Sequence, residues 1–167
     1  LAQIEDKQLK PAPTADDRVL LRRLYFDLVG LSPTPEQLAA FRNRAVKDRS
    51  ATIKQEIETL LAAPHYGERW ARHWLDLARY TDKTASWLNS TAAAWRYRDW
   101  VVQALNRDLP YNDFVKQQLA NDLIKGSDPE NNAALGYLGL SPTYWKELQL
   151  PPEIIKTTVA DEWEERM

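Results

Sequence analysis

The chain predicts an all-α fold, and three observations carry that expectation. Apolar residues recur at three- and four-residue spacing in one segment after another; no run alternates apolar and polar for the length of a strand; and only 5 glycines stand among 167 residues. The reading is of one irregular domain over residues 1–167, with about seven to eight helices. Residues 1–13 read as a lead-in and 152–167 as a C-terminal helix.

The elements follow in order. Leu20, Leu21, Leu24 and Leu28 make the first apolar stripe, behind Thr14 as cap with Asp17 three residues on. Gly30 ends that helix in the left-handed position, and Leu31 is placed to fold back on it. Thr34-Pro35-Glu36-Gln37 combines a cap, a first-turn proline and a capping-box glutamine. Ile53, Ile57, Leu60 and Leu61 form the next stripe, closed by Pro64. Trp70, Trp74 and Leu77 mark a fourth helix. Further helices are expected from Ala92 to Asn106, from Asn112 (read as its cap) to Leu123, and from Pro151-Pro152 onward. Lys83 to Ser90, with Trp87, reads as a loop that closes over something, and Lys125 to Asn132 as a polar surface loop.

Composition bounds the function. Hydrophobic residues make up 44% and charged residues 28%, as in ordinary globular chains. A net charge of -2 removes the electrostatic case for nucleic acid. No apolar run reaches the roughly 20 residues of a membrane span, and no signal peptide opens the sequence. The absence of cysteine excludes disulfides, thiolate metal sites and covalently attached haem within this stretch.

The segment Pro64 to Tyr80 concentrates chemistry: both histidines, two of the 7 tryptophans, and alternating acid and base. On a helix, Arg69, His73, Asp76 and Tyr80 fall at steps of four, three and four, hence on one face. His73 could be an axial ligand or general acid–base, with Asp76 fixing its tautomer. Equally, it could be a satisfied histidine in an inter-helix network. His65 and His73 lack the spacing of a zinc-binding helix. A second cluster, Trp95-Arg96-Tyr97-Arg98-Asp99-Trp100, interleaves aromatics with arginine, a pattern that stacks on sugars or bases. The alternative is a tryptophan core with arginines paired to Asp76, Asp82, Asp99 or Asp122. No nucleophile elbow, phosphate loop or dinucleotide fingerprint occurs.

Several long blocks then carry a resemblance. They are Arg22 to Pro35, His65-Tyr66-Gly67-Glu68-Arg69-Trp70, His73 to Asp82, Tyr97-Arg98-Asp99-Trp100-Val101, Pro110-Tyr111-Asn112-Asp113-Phe114 and Gln118-Leu119-Ala120-Asn121-Asp122. From about Leu9 onward the chain resembles the planctomycete cytochrome-associated domain of unknown function, a module of large exported proteins. The resemblance implies a periplasmic or extracellular location, with a cytochrome-c-like module upstream and a second family-specific domain downstream as partners. It implies that a segment like Asp161 to Met167 leads into a Cys-x-x-Cys-His block, so that the chain is a fragment ending before it. No cofactor is expected within the chain, while haem c in the longer protein is an expectation, with His73 as the residue near it.

Two function classes follow. One is a redox module whose helices form a wall of a haem pocket and which has no activity of its own. The other is a glycan-binding or accessory module, with Trp87, Trp95 and Arg98 along a groove. Arg69, Asp76, Arg79, Tyr80, Asp82, Arg98 and Asp99 are the candidate polar network in either case. Catalysis by the chain alone is not expected, although Asp76, Asp82, Asp99 and Asp108 supply carboxylates. Ile154, Ile155, Val159 and Trp163 are placed to form an apolar interface on the last helix.

Overall fold

Side chains that satisfy orphaned backbone N–H groups set the first three helix starts of the computed structural model. It describes residues 6–7, 12–81, 93–139 and 151–164. Asp82 and the Lys83 to Ser90 segment with Trp87 lie outside the described residues. The fold is all-α, as expected: seven α-helices and two 3-10 helices, with no strand, among the described residues. They group into two compact units, Leu1–Leu61 and Ala62–Met167.

In the first unit, α1 (Asp17–Leu28) is capped by Asp16, whose carboxylate accepts from the Val19 N–H at 2.8 Å. Thr14 is not the cap. A capping oxygen must reach the first-turn N–H groups, so the residue next to the helix wins, and its charge suits the positive helix end. Leu21 of the expected stripe is buried, but its buried companions are Tyr25 and Val29, while Leu20, Leu24 and Leu28 are half-buried. Gly30 does take a positive φ of 74°, but Leu31 stays 51% exposed rather than folding back. The α2 helix (Pro35–Ala45) has the expected capping box: the Gln37 N–H donates to Thr34 Oγ1 and the Thr34 N–H to Gln37 Oε1. Phe41 is its buried residue.

The α3 helix (Arg49–Leu61) starts from Asp48, which accepts from the Ala51 N–H at 2.9 Å. It buries Thr52, Glu56 and Leu60, whereas Ile53 and Ile57 are half-buried and Leu61 is exposed. The buried carboxylate has two partners, the Tyr25 hydroxyl at 3.1 Å and the Arg44 guanidinium. Burial and the neighbouring Glu56 carboxylate push the Tyr25 phenol up to about 12, against a weaker opposing effect of Arg44.

In the second unit, α4 (Pro64–Leu77) and α5 (Ala94–Asn106) pack through small residues. The buried face of α4 is Gly67 and Ala71, continued by Ala78 at its end. Gly67 is required: a Cβ there would collide with the Val102 carbonyl oxygen and the Asn106 side chain. Asn106 in turn ties down the start of α4, accepting from the Gly67 N–H at 2.7 Å and donating to the Pro64 carbonyl at 3.0 Å. The expected Trp70–Trp74–Leu77 stripe is therefore off the core by part of a turn. Trp70 is 40% exposed and Leu77 is 77% exposed, and only Trp74 of the three packs against the core.

The α6 helix (Tyr111–Ala120) follows Pro110 with no side-chain cap, and Asn112 lies inside its first turn, bonded to Asp113. The chain then tightens into a 3-10 helix, Asn121–Leu123, turns at Gly126 (φ 79°), and forms a second 3-10 helix, Pro129–Gly139. That last element replaces the end of the expected polar loop. Buried Asn121 organises the turn by donating to the Asp128 carbonyl and to Asn132 Oδ1.

Aromatics fill the core between these elements. Trp100 stacks on Phe114 with centroids 5.2 Å apart, and Phe114 meets Trp74 edge-on at 4.9 Å. The half-buried Trp74 indole N–H and the buried Tyr97 hydroxyl both donate to Gln118 Oε1, at 2.8 and 2.7 Å, so the polar edges of the two rings share one acceptor. The α7 helix (Pro152–Glu164) begins at the expected proline; its Ile154 is exposed, and the Val159 and Trp163 side chains lie outside the described ones.

Candidate functional site

With Gly67, Ala71 and Ala78 turned to the core, the helical repeat sends Glu68, Arg72, Leu75 and Asp76 down one flank of α4 and Tyr66, Trp70, His73 and Leu77 down the other. The first flank faces α5 across a cleft of about 550 Å³. From α5 the cleft receives Arg98, Asp99, Val102 and Gln103. Ala71, Leu75 and Val102 are its apolar lining, and Tyr80 closes one side.

Tyr80 reaches the cleft because the helix ends before it. Arg79 adopts a positive φ of 54°, and the Tyr80 N–H then bonds back to the Leu75 carbonyl at 2.9 Å. Tyr80 thus leaves the helical stripe on which the sequence put it.

The cleft brings together four of the anticipated residues: Asp76, Tyr80, Arg98 and Asp99. Arg98 and Asp99 form an ion pair at 2.9 Å on the cleft wall. Asp76 makes no side-chain hydrogen bond or ion pair among the described residues, which leaves its carboxylate for a ligand. Arg79 sits in the helix-ending turn, outside the lining. Arg69 is also outside, its buried Nε without a hydrogen-bond partner among the described residues. His73 is exposed, its ring 5.4 Å from that of Trp70. No hydrogen bond joins it to Asp76 among the described residues, since the two lie toward different flanks. His65 pairs with Glu68 at 2.8 Å on the surface.

Glu68 and Gln103 were not singled out from sequence. Their signal is the small-residue stripe of α4, which fixes the orientation of the helix and hence what flanks it.

A second cleft, about 360 Å³, lies beyond α5 against the 3-10 helix Pro129–Gly139. Trp95, Arg96, Arg107, Asp128, Glu130 and Asn131 line it together with Asp99 and Gln103. Asn131 Oδ1 accepts from both the Trp100 indole and Arg107, each at 3.1 Å, which fixes its wall. Trp95 is 49% exposed, with the Arg96 guanidinium 5.5 Å from the ring centroid. The paired expectation for this segment divides: Trp100 is core, Trp95 is surface.

A family model, PSCyt2, described as a protein of unknown function (DUF1549), matches residues 1–165. The chain belongs to the PSCyt2 family. No curated protein and no solved structure matches it. In this PSCyt2 chain the block Arg22 to Pro35 lies in the first unit and the others in the second, where His65 to Trp70 and His73 to Tyr80 supply α4 and its terminating turn and Tyr97 to Val101 supplies the middle of α5. No group of three or more His, Cys, Asp or Glu able to hold a metal ion occurs among the described residues. No described helix is long and apolar enough to cross a membrane.

Proposed function

We propose that this PSCyt2 domain is a carbohydrate-binding module of an exported protein, and that the cleft between α4 and α5 takes the sugar. The observation that supports it is the chemistry of the lining. Carboxylate, guanidinium and amide groups from Glu68, Arg72, Asp76, Asp99 and Gln103 surround a narrow apolar strip of Ala71, Leu75 and Val102. A sugar presents neighbouring hydroxyls and a patch of C–H bonds on the same ring. Planar groups with two donors or two acceptors engage adjacent hydroxyls together, and the apolar strip with Tyr80 meets the C–H face. Asp76 is the acceptor that such a ligand would meet unpaired.

The redox reading implied by the family resemblance would use a different surface. His73 is exposed on the other flank of α4, against Trp70, and neither described cleft contains a histidine. In a haem-carrying polypeptide that includes this domain, an axial or neighbouring role for His73 predicts a shifted Soret band in His73→Ala. The sugar-binding reading predicts the same spectrum.

The main test is a glycan array of neutral and sulfated chains, followed by calorimetry on the retained glycan. Asp76→Ala and Gln103→Ala are expected to weaken binding at least about tenfold with unchanged helical circular dichroism, the loss of one or two buried hydrogen bonds. Retention of no glycan, or binding indifferent to both substitutions, would remove the proposal.

A further inference from the structure

We infer that the two clefts beside α5 are one extended groove, and that its ligand is a neutral chain of several sugar units rather than a single sugar. The inference rests on the sugar-binding reading of the first cleft and goes beyond it in naming the length and charge of what binds. Continuity is the first observation. Asp99 and Gln103, one turn apart on α5, line both clefts, so a ligand in either meets the same two side chains. They stand between the two clefts on the face of α5 opposite its buried one, so a chain reaching from one cleft to the other passes over them.

Length is the second. Glu68, Arg72 and Asp76 succeed one another at one-turn intervals along α4, a span of about 12 Å at the helical rise. Beyond Asp99 and Gln103 the lining continues to Trp95, Arg107 and Asn131. A single sugar ring fills only part of that path.

The third observation is Trp95. A half-exposed indole at the rim of a polar groove leaves apolar ring surface in water, and the structure buries the other central aromatics of α5, Tyr97 and Trp100. The Arg96 guanidinium over one face of the ring holds the indole by a cation–π contact, and the half-exposed indole offers its other face to a sugar's C–H bonds. Trp95 is thus the stacking position for units farther along the chain.

Charge selects the class. Across the two linings the carboxylates outnumber the guanidinium groups by one, and each arginine stands among acids. Two arginines are further engaged at the walls: Arg98 with Asp99, and Arg107 with Asn131. Such a surface gives a sulfate or carboxylate no surplus of positive charge to approach, whereas hydroxyls find donors and acceptors throughout.

The test uses the neutral glycan most strongly retained on the array, as its monosaccharide, disaccharide and tetrasaccharide, plus the sulfated tetrasaccharide. Titrations compare the unmodified chain with Trp95→Ala. The tetrasaccharide is expected to bind about tenfold or more tightly than the monosaccharide, the scale of one aromatic contact plus added hydrogen bonds. Trp95→Ala, at a surface position, is expected to keep the fold, leave monosaccharide affinity unchanged and abolish the gain with length. Equal affinity for all lengths, a length gain that survives Trp95→Ala, or tighter binding of the sulfated chain would overturn the inference while leaving the first cleft as a sugar site. Failure of every length to bind would overturn the sugar-binding reading itself.

Discussion

Two buried side chains show what single residues cost and contribute here. Glu56 stands at the centre of the first unit with Tyr25 and Arg44 as partners. The phenol of Tyr25 is raised from 10.0 to about 12, chiefly by burial and then by the Glu56 carboxylate. A raised folded-state value favours the protonated form, so this contribution to stability is complete below pH about 10 and is lost as pH rises through about 12. The wild-type minus Tyr25→Phe difference in phenolate absorbance on alkaline titration should therefore have its midpoint near 12. Gln118 is the counterpart in the second unit, accepting from Trp74 and Tyr97. Gln118→Leu removes that shared acceptor while the Trp74 N–H keeps the Tyr97 hydroxyl at 2.9 Å, and a loss of about 1–3 kcal/mol in chemical denaturation is expected. Sequence reasoning marked Trp74 and Tyr97 as aromatic and missed Gln118, because a glutamine in a helix looks solvated until its helix is packed.

Helix termini and contact faces decide the outcome at the level of elements. The chain turns out of α4 and α5 through positive φ at Arg79 (54°) and Asp108 (51°), where side chains are strained. Gly30 was legible as such a turn because glycine announces it; an arginine or an aspartate in the same conformation does not. Asp108→Gly should raise stability by up to about 1 kcal/mol, measured as a higher urea midpoint at unchanged slope. The contact face of α4 carries the opposite expectation. Gly67→Ala gains helix propensity of about 1 kcal/mol but drives a methyl into Val102 and Asn106, where overpacking costs about 1–3 kcal/mol. Because the carbonyl it meets belongs to backbone that cannot swing aside, net destabilisation and a lowered melting temperature are expected.

For the whole chain, the net charge of -2 and the nearly balanced groove predict binding that depends little on salt. Affinity for a neutral oligosaccharide should change less than about twofold between low and high ionic strength, because no long-range attraction is there to be screened. A steep salt dependence in calorimetry would point instead to a charged ligand.

The sequence by itself determined the all-α class, the capping box at Thr34, the left-handed turn at Gly30 and the proline-led start of α7. Those are local properties: spacing, caps and residue type act over one or two turns. Only the tertiary structure decided that His73 and Arg69 lie outside the cleft, that Glu68 and Gln103 lie within it, and that Trp95 is surface while Trp100 is core. The physical reason is rotation about the helix axis. On α4, apolar Trp70 and Leu77 competed with Gly67 and Ala71 for the inward face, and close packing against α5 was open only to the small residues. Once those turned inward, every polar side chain on the helix had its flank assigned.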